Sequence, residues 1–334
     1  DYAAGETMQI GSRSGFTLAP SGTSAEFGLG GADLLGRLSW QILGAVGNAA
    51  GPRGAQAGLV YRGWRWAPGV HLFTSLERPS RQRFEPVQGF DRQRSGGELA
   101  FTFESKNTTP AFFKPILAFE RVEFQDGPKS SASRGLITLR FGISHLWNRG
   151  EKWGLRLSAQ ANDGVGRTDG QNWSFQRGHV QATLHTPWIQ AALRAESARV
   201  AGDPTALDRL HFGGLDTSLV PAGLNGNRVE QPALPSYNAL GDRLRRLRAE
   251  IGSGLRAYVE HTAVWDHAQE RPAFTKVAGV ELDLMKAIGN AEVVERLVGH
   301  LTFVLGIHRV LHEAHDNPLM QDRTVGTLSL VVHP

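Results

Sequence analysis

Apolar and polar residues alternate with a period of two along most of the chain. Between 153 and 162, Trp153, Leu155, Leu157, Ala159 and Ala161 share one face, against Gly154, Arg156, Ser158, Gln160 and Asn162. Val180, Ala182 and Leu184 oppose His179, Gln181, Thr183 and His185. Ile189, Leu193 and Ala195 oppose Gln190, Arg194 and Glu196, and Leu247, Ala249 and Ile251 oppose Arg248 and Glu250. Leu99, Phe101 and Phe103 oppose Glu98, Thr102 and Glu104. Successive side chains of an extended chain point to opposite faces, so the pattern predicts strands with one apolar face. About sixteen such segments are separated by Gly-, Asn- and Asp-rich turns.

The connections set the architecture. Thr186-Pro187, Asn148-Arg149-Gly150 and Gly252-Ser253-Gly254 read as tight turns, whereas 78–97, 162–173, 203–242, 265–273 and 312–323 read as longer polar loops. Short turns at one end and long loops at the other mark an outer-membrane barrel, and segments of about ten residues suit a tilted membrane crossing. Trp64, Trp66, Trp147, Trp153, Trp173, Trp188 and Trp265 fall near strand ends, as an interfacial aromatic girdle requires. In 291–305 the apolar residues Val293, Val294, Leu297, Val298, Leu301, Val304 and Leu305 also fit a helical period. The alternation of Leu301, Phe303, Leu305 and Ile307 against Thr302, Gly306 and His308 favours a strand there, after a turn near Gly289-Asn290.

Composition narrows the classes. The 334 residues include no cysteine, so neither a disulfide framework nor a Cys-ligated metal is possible. No apolar run approaches the ~18 residues of a membrane helix. With 36 Lys+Arg against 32 Asp+Glu, the net charge of +4 gives little support for nucleic acid as a partner. The start, Asp1-Tyr2-Ala3-Ala4, has neither Met nor a signal pattern and reads as a mature chain or a piece of a longer one.

Catalytic patterns are missing from the sequence. Gly28-x-Gly30-Gly31 lacks the third glycine of a dinucleotide fingerprint, and neither a phosphate-binding loop nor a Gly-x-Ser-x-Gly elbow occurs. His308, His312 and His315 would share a helical face, but they straddle a strand end and a polar loop, so solvated histidines without a metal are expected. The reading predicts no enzyme and no cofactor. The densest charge lies at Arg243, Arg245, Arg246 and Arg248, followed by Glu250. Arg246, Arg248 and Glu250 share a face and meet Arg256, Tyr258 and Glu260 across a turn. In a barrel these are lumen groups that pair across strands, hold the loop 203–242, or set anion preference; the pairing ladder is favoured. The candidate lumen and loop-contact residues are therefore Arg156, Arg194, Glu196, Arg246, Arg248, Glu250, Arg256 and Glu260, with Gly213, Gly214 and Asp216 in the loop.

The stretch Gly30-Gly31-Ala32-Asp33-Leu34-Leu35-Gly36-Arg37-Leu38-Ser39-Trp40 resembles the first hairpin of bacterial surface-antigen barrels. Leu210-His211-Phe212-Gly213-Gly214-Leu215, the long loop after it, Gly241-Asp242-Arg243 and the strand through Trp265 resemble the later part of the same superfamily. That superfamily includes the barrel-assembly factor and the two-partner-secretion transporters. The resemblance implies a sixteen-stranded barrel, usually behind a soluble periplasmic region. Two departures stand out. Leu215–Pro221 carries no Arg-Gly-Phe/Tyr tip of the kind that folds into the lumen in transport-active members, and the chain ends in His333-Pro334 rather than an aromatic.

The expectation is an all-β transmembrane antiparallel barrel of about sixteen strands. Residues 1–21 would form a lead-in segment or first strand, and 22–334 the barrel, with its long loop at 203–242. Its expected role is as anchor, export or conducting component of a larger assembly or longer chain, in the outer membrane. A passive porin-like channel and a soluble all-β binding protein are the alternatives. The lipid bilayer is the expected partner, with other subunits or a periplasmic domain beside it and no nucleic acid.

Overall fold

The computed structural model describes residues 8–19, 22–33, 35–47, 53–77, 91–105, 109–125, 131–149, 153–186, 188–213, 219–221, 223–231, 233–234, 239–266, 272–284, 300–313 and 323–333. Among them, sixteen strands close into one barrel. The first eleven are β1 (Met8–Ala19), β2 (Gly22–Asp33), β3 (Leu38–Gly47), β4 (Arg53–Tyr61), β5 (Ala67–Glu77), β6 (Arg92–Ser105), β7 (Ala111–Phe124), β8 (Ser131–Arg149), β9 (Trp153–Thr168), β10 (Gln171–His185) and β11 (Gln190–Gly202). Three short strands, β12 (Leu210–Phe212), β13 (Arg228–Val229) and β14 (Ala239–Gly241), form a separate sheet. The wall resumes with β15 (Arg243–Gly252), β16 (Leu255–Trp265), β17 (Ala273–Asp283), β18 (His300–Glu313) and β19 (Thr324–His333).

All wall neighbours pair antiparallel, and β1 joins both β2 and β19, with Phe16 opposite Ala25 on one side and Leu330 on the other. Closure leaves no sheet edge with unpaired backbone groups. The termini share one end with the connections 34–37, 62–66, 106–110, 150–152, 186–189 and 253–254. The segment 203–242 departs from the opposite end, where 78–91 and 314–323 also connect strands.

The alternation sorts side chains into and out of the barrel. The apolar side chains are the exposed ones: Phe119 is 62% exposed, Val165 59%, Val259 58% and Ile307 65%. Charged groups of the inward parity, such as Glu120, Arg134, Glu196 and Glu260, are buried. A water-soluble protein sorts its residues the other way, so the outer face is built for an apolar surrounding. The closed barrel with its apolar outer face does not fit the alternative of a soluble all-β protein.

Four expectations change. Residues 78–97 are not loop throughout, because β6 begins at Arg92 and pairs with β5 from there. Residues 162–173 are not a long loop, because β9 runs to Thr168 and only Asp169-Gly170 turns the chain into β10. Asp169 at φ 48° and Gly170 at φ 91° supply the positive angles that so tight a hairpin needs. Trp173 is not in the girdle. Its parity points it into the lumen, where it is buried and donates from Nε1 to Thr168 Oγ1 at 3.0 Å. Room for it comes from Gly166, where a Cβ would lie 2.4 Å from the indole. His308 is not a solvated loop histidine either. It points inward from β18, between the Tyr258 hydroxyl at 2.8 Å and Thr327 Oγ1 at 2.7 Å. His312 is exposed at the end of β18, and His315 lies outside the described residues.

Trp64, Trp66, Trp147, Trp153 and Trp188 are exposed at the short-turn end, and Trp153 meets Trp188 edge-on at 6.1 Å. Trp265 is half-buried near the opposite end, with the Arg245 guanidinium 5.8 Å from its ring. In the ambiguous region, 285–299 lies outside the described residues. From His300 the chain is strand, with Leu305 and Ile307 outward and Gly306 and His308 inward.

Candidate functional site

The candidate site is the lumen, and the segment 203–242 fills much of it. Leu210, Phe212, Leu219, Leu224, Val229 and Leu234 in this segment are fully buried. Most of them join inward-facing Phe73, Ile116, Leu136, Trp173 and Phe175 of the wall in one apolar cluster. Leu219 instead packs with Leu43 and Ala45 of β3, diametrically across from the β11–β15 seam where the segment is rooted. Burial of this kind contributes about 1.5–3 kcal/mol per large side chain.

Polar contacts tie the segment to strands around the ring. The Gly223 N–H donates to Glu98 Oε2 on β6 at 3.0 Å, and a Cβ at Gly223 would lie 2.6 Å from that oxygen. Arg134 on β8 donates to Leu224 O at 3.1 Å and pairs with Asp208 at 2.9 Å. Arg177 on β10 donates to Arg228 O at 2.6 Å. Arg228 itself reaches Glu77 on β5 at 2.6 Å. Gln231 donates to Glu260 on β16 at 2.6 Å. Within the segment, Asn227 Nδ2 donates to Leu207 O at 2.8 Å and Arg209 O at 2.9 Å, which fixes the fold of the tip.

Two charge networks line the wall behind these contacts. In the first, Glu77 takes Arg92 at 2.8 Å and Arg94 at 2.9 Å, while Glu120 takes Arg94 at 2.8 Å and Arg134 at 2.9 Å. In the second, Glu196 takes Arg177 at 2.6 Å, Arg194 at 3.4 Å and Arg246 at 3.6 Å. Glu260 takes Arg246 at 2.7 Å. Arg248 lies 3.0 Å from Glu250 and 3.5 Å from Glu281, and Arg256 lies 3.0 Å from Glu281. Arg248 also stacks 3.9 Å from the centre of the Tyr258 ring. Sharing each carboxylate among several guanidiniums offsets the desolvation of charges held inside the barrel.

Arg194, Glu196, Arg246, Arg248, Glu250, Arg256 and Glu260 come together in the second network, on β11, β15 and β16. Arg156 stands apart on β9, exposed near the short-turn end and without an ion pair among the described residues. Gly213 turns the chain after β12 at φ 114° and donates its N–H to Val229 O at 3.0 Å. Gly214 and Asp216 lie outside the described residues. The first network went unread in the sequence, as did Asp208, Arg228 and Gln231. The inward parity of Glu120 and Arg134 was available from the alternation, whereas Arg92 and Arg94 fell inside 78–97, which the alternation leaves as loop; the mutual contacts of all four were not legible.

His211 in β12 is buried beside Arg92 and Arg228. Burial, then these two cations, hold its imidazole well below the ordinary value, against the backbone contact to Leu207 and the charge of Glu77. It is neutral at pH 7.

No protein-family model and no curated protein matches this chain. Solved structures do. CdiB from Escherichia coli superposes with a TM-score of 0.65 at 11% identity, over 97% of this chain and 63% of that one. BamA from Haemophilus ducreyi lacking POTRA domains 1–3 gives 0.63 at 12% identity, over 98% and 70%. CdiB from Acinetobacter baumannii gives 0.55 at 10% identity, over 98% and 60%. This chain thus spans three fifths to seven tenths of the length of these proteins. At such identities the likeness is one of fold: the chain is a closed sixteen-stranded barrel of the outer-membrane type, resembling those of BamA and CdiB.

Proposed function

We propose that this chain is an integral outer-membrane barrel, the anchor, export or conducting component of a larger assembly or longer chain, with its lumen closed at rest by the segment 203–242. The observation that carries the reading is the inverted polarity: an apolar exposed band outside, and paired charges around an inserted segment inside. The likeness in fold to BamA and CdiB supports the same reading. Lipid covers the band, the exposed tryptophans sit at one interface, and the strand ends beside the termini meet the periplasm, where other subunits or a periplasmic domain engage. The role is transport or anchoring rather than catalysis.

Membrane fractionation followed by gel mobility of boiled and unboiled protein tests this. Outer-membrane partition with a boiling-dependent shift is expected. Protein that stays in solution without detergent and shows no shift would overturn it.

A further inference from the structure

Below the inserted segment the lumen holds a cavity of about 510 Å³ whose lining is strongly cationic. Among the described residues, seven arginines and three glutamates line it, together with the amides of Asn162, Gln181 and Asn225. The arginines come from β8 (Arg140), β10 (Arg177), β11 (Arg194), β15 (Arg246 and Arg248), β16 (Arg256) and the tip of the inserted segment (Arg228). The cavity lies toward the short-turn end of the barrel, where inward-pointing Arg156 is exposed.

Structural pairing leaves part of this charge unspent. Arg177, Arg194, Arg246, Arg248 and Arg256 share Glu196, Glu250, Glu260 and Glu281, and the lining as a whole sets seven guanidiniums against three carboxylates. Arg140 has no carboxylate within ion-pair distance among the described residues. Arg194 stands directly opposite Arg248 in the β11–β15 register. Like charges directly opposite on neighbouring strands are destabilising, and a pairing ladder alone does not call for them. The buried Nε atoms of Arg194, Arg246 and Arg256 have no hydrogen-bond partner among the described residues. Guanidinium side chains from five strands and from the inserted segment thus border one volume, and the volume is of the size that takes a small ligand.

We infer that this cavity is a binding site for a small, multiply charged, phosphate-bearing anion entering from the short-turn end. Donors reach it from several strands and from the inserted tip in different directions, which suits the tetrahedral oxygens of phosphate better than one planar carboxylate. The closed wall shuts out lipid headgroups from the side, so the ligand is a soluble molecule. The site needs the closed lumen but not any particular cargo. Its failure would leave the membrane-barrel reading standing, because the boiling-dependent shift reports that reading independently.

The test is calorimetric titration of the detergent-solubilised full chain with inorganic pyrophosphate at fixed ionic strength, with citrate as the carboxylate comparison. Saturable pyrophosphate binding tighter than citrate is expected. Arg194→Gln and Arg256→Gln, each checked for an unchanged boiling-dependent shift, should weaken it tenfold or more, whereas Arg121→Gln on the exposed part of β7 should leave it unchanged. Absence of saturable binding, tighter binding of citrate, or equal losses in the cavity and β7 variants would overturn the inference. Arg256 sits at the cavity mouth and is partly exposed, so its variant keeps the test open if Arg194→Gln fails to fold.

Discussion

At the residue scale, parity decides everything that the sequence makes visible. Arg194, Glu196, Arg246, Arg248 and Glu260 were placed inward by counting in twos, since an extended chain allows nothing else. Parity does not show which inward groups touch, because register and the shape of the inserted segment set that. Glu260 illustrates the difference. It is almost fully buried, takes Arg246 at 2.7 Å and Gln231 at 2.6 Å, and so joins β15, β16 and the inserted segment through one carboxylate. Removing it leaves Arg246 with Glu196 at 3.6 Å as its remaining partner. Breaking one partner out of a buried ion pair costs about 3–5 kcal/mol. Glu260→Ala should therefore lower the urea midpoint of unfolding by a corresponding amount, read from tryptophan fluorescence. Arg121→Ala, which removes an exposed pair to Glu123, should change it little. Equal effects of the two would show that the lumen network contributes no more than a surface pair.

Among the elements, glycine misled the sequence reading in one place and apolar content was overlooked in another. Residues 162–173 look like a loop because Gly164, Gly166, Gly170, Asp163 and Asp169 are turn formers. Yet Gly164 and Gly166 are strand residues whose missing side chains admit the Phe175 and Trp173 rings: a Cβ at Gly164 would lie 2.3 Å from Phe175. The inserted segment shows the opposite error. Its length and position were legible, but Leu210, Phe212, Leu219, Leu224 and Leu234 follow no strand period and gain meaning only against the wall they pack on. The same segment carries an acid-sensitive group. His211 is held neutral when folded, with its pKa well below the ordinary 6.5. Once the segment is released, His211 titrates near 6.5, so the released form binds more protons as pH falls through that value. Docking is therefore at full strength above about pH 6.5 and weakens progressively below it. Proteolysis of residues 203–242 in the solubilised barrel should accelerate on acidification below that point, and His211→Gln should flatten the response. An identical acid response in the variant would assign the effect to groups other than His211.

For the whole molecule, the question is whether the barrel wall and its filling are separable. The register says that they are. Arg199 of β11 sits directly opposite Arg243 of β15, and the Val200 N–H donates to Asp242 O at 2.7 Å, so the two ends of the inserted segment stand at hairpin distance. Replacing 204–241 with a short Gly-Ser turn leaves all sixteen wall strands and the closing β1–β19 pair in place. The charges that lose partners, Glu77, Glu98, Arg134, Arg177 and Glu260, would then face a water-filled lumen, where solvation replaces the lost contacts at little cost. Phe73, Ile116, Leu136, Trp173 and Phe175 would be wetted, and that loss is hydrophobic. The shortened barrel should therefore keep its boiling-dependent gel shift, lose it at a lower temperature than the full chain, and pass a larger single-channel current in planar bilayers. Unchanged current after the deletion would mean that the segment does not close the pathway. A large, steady current from the full chain would mean that the barrel conducts around its filling, and would favour the passive porin-like alternative over a gated component of a larger assembly.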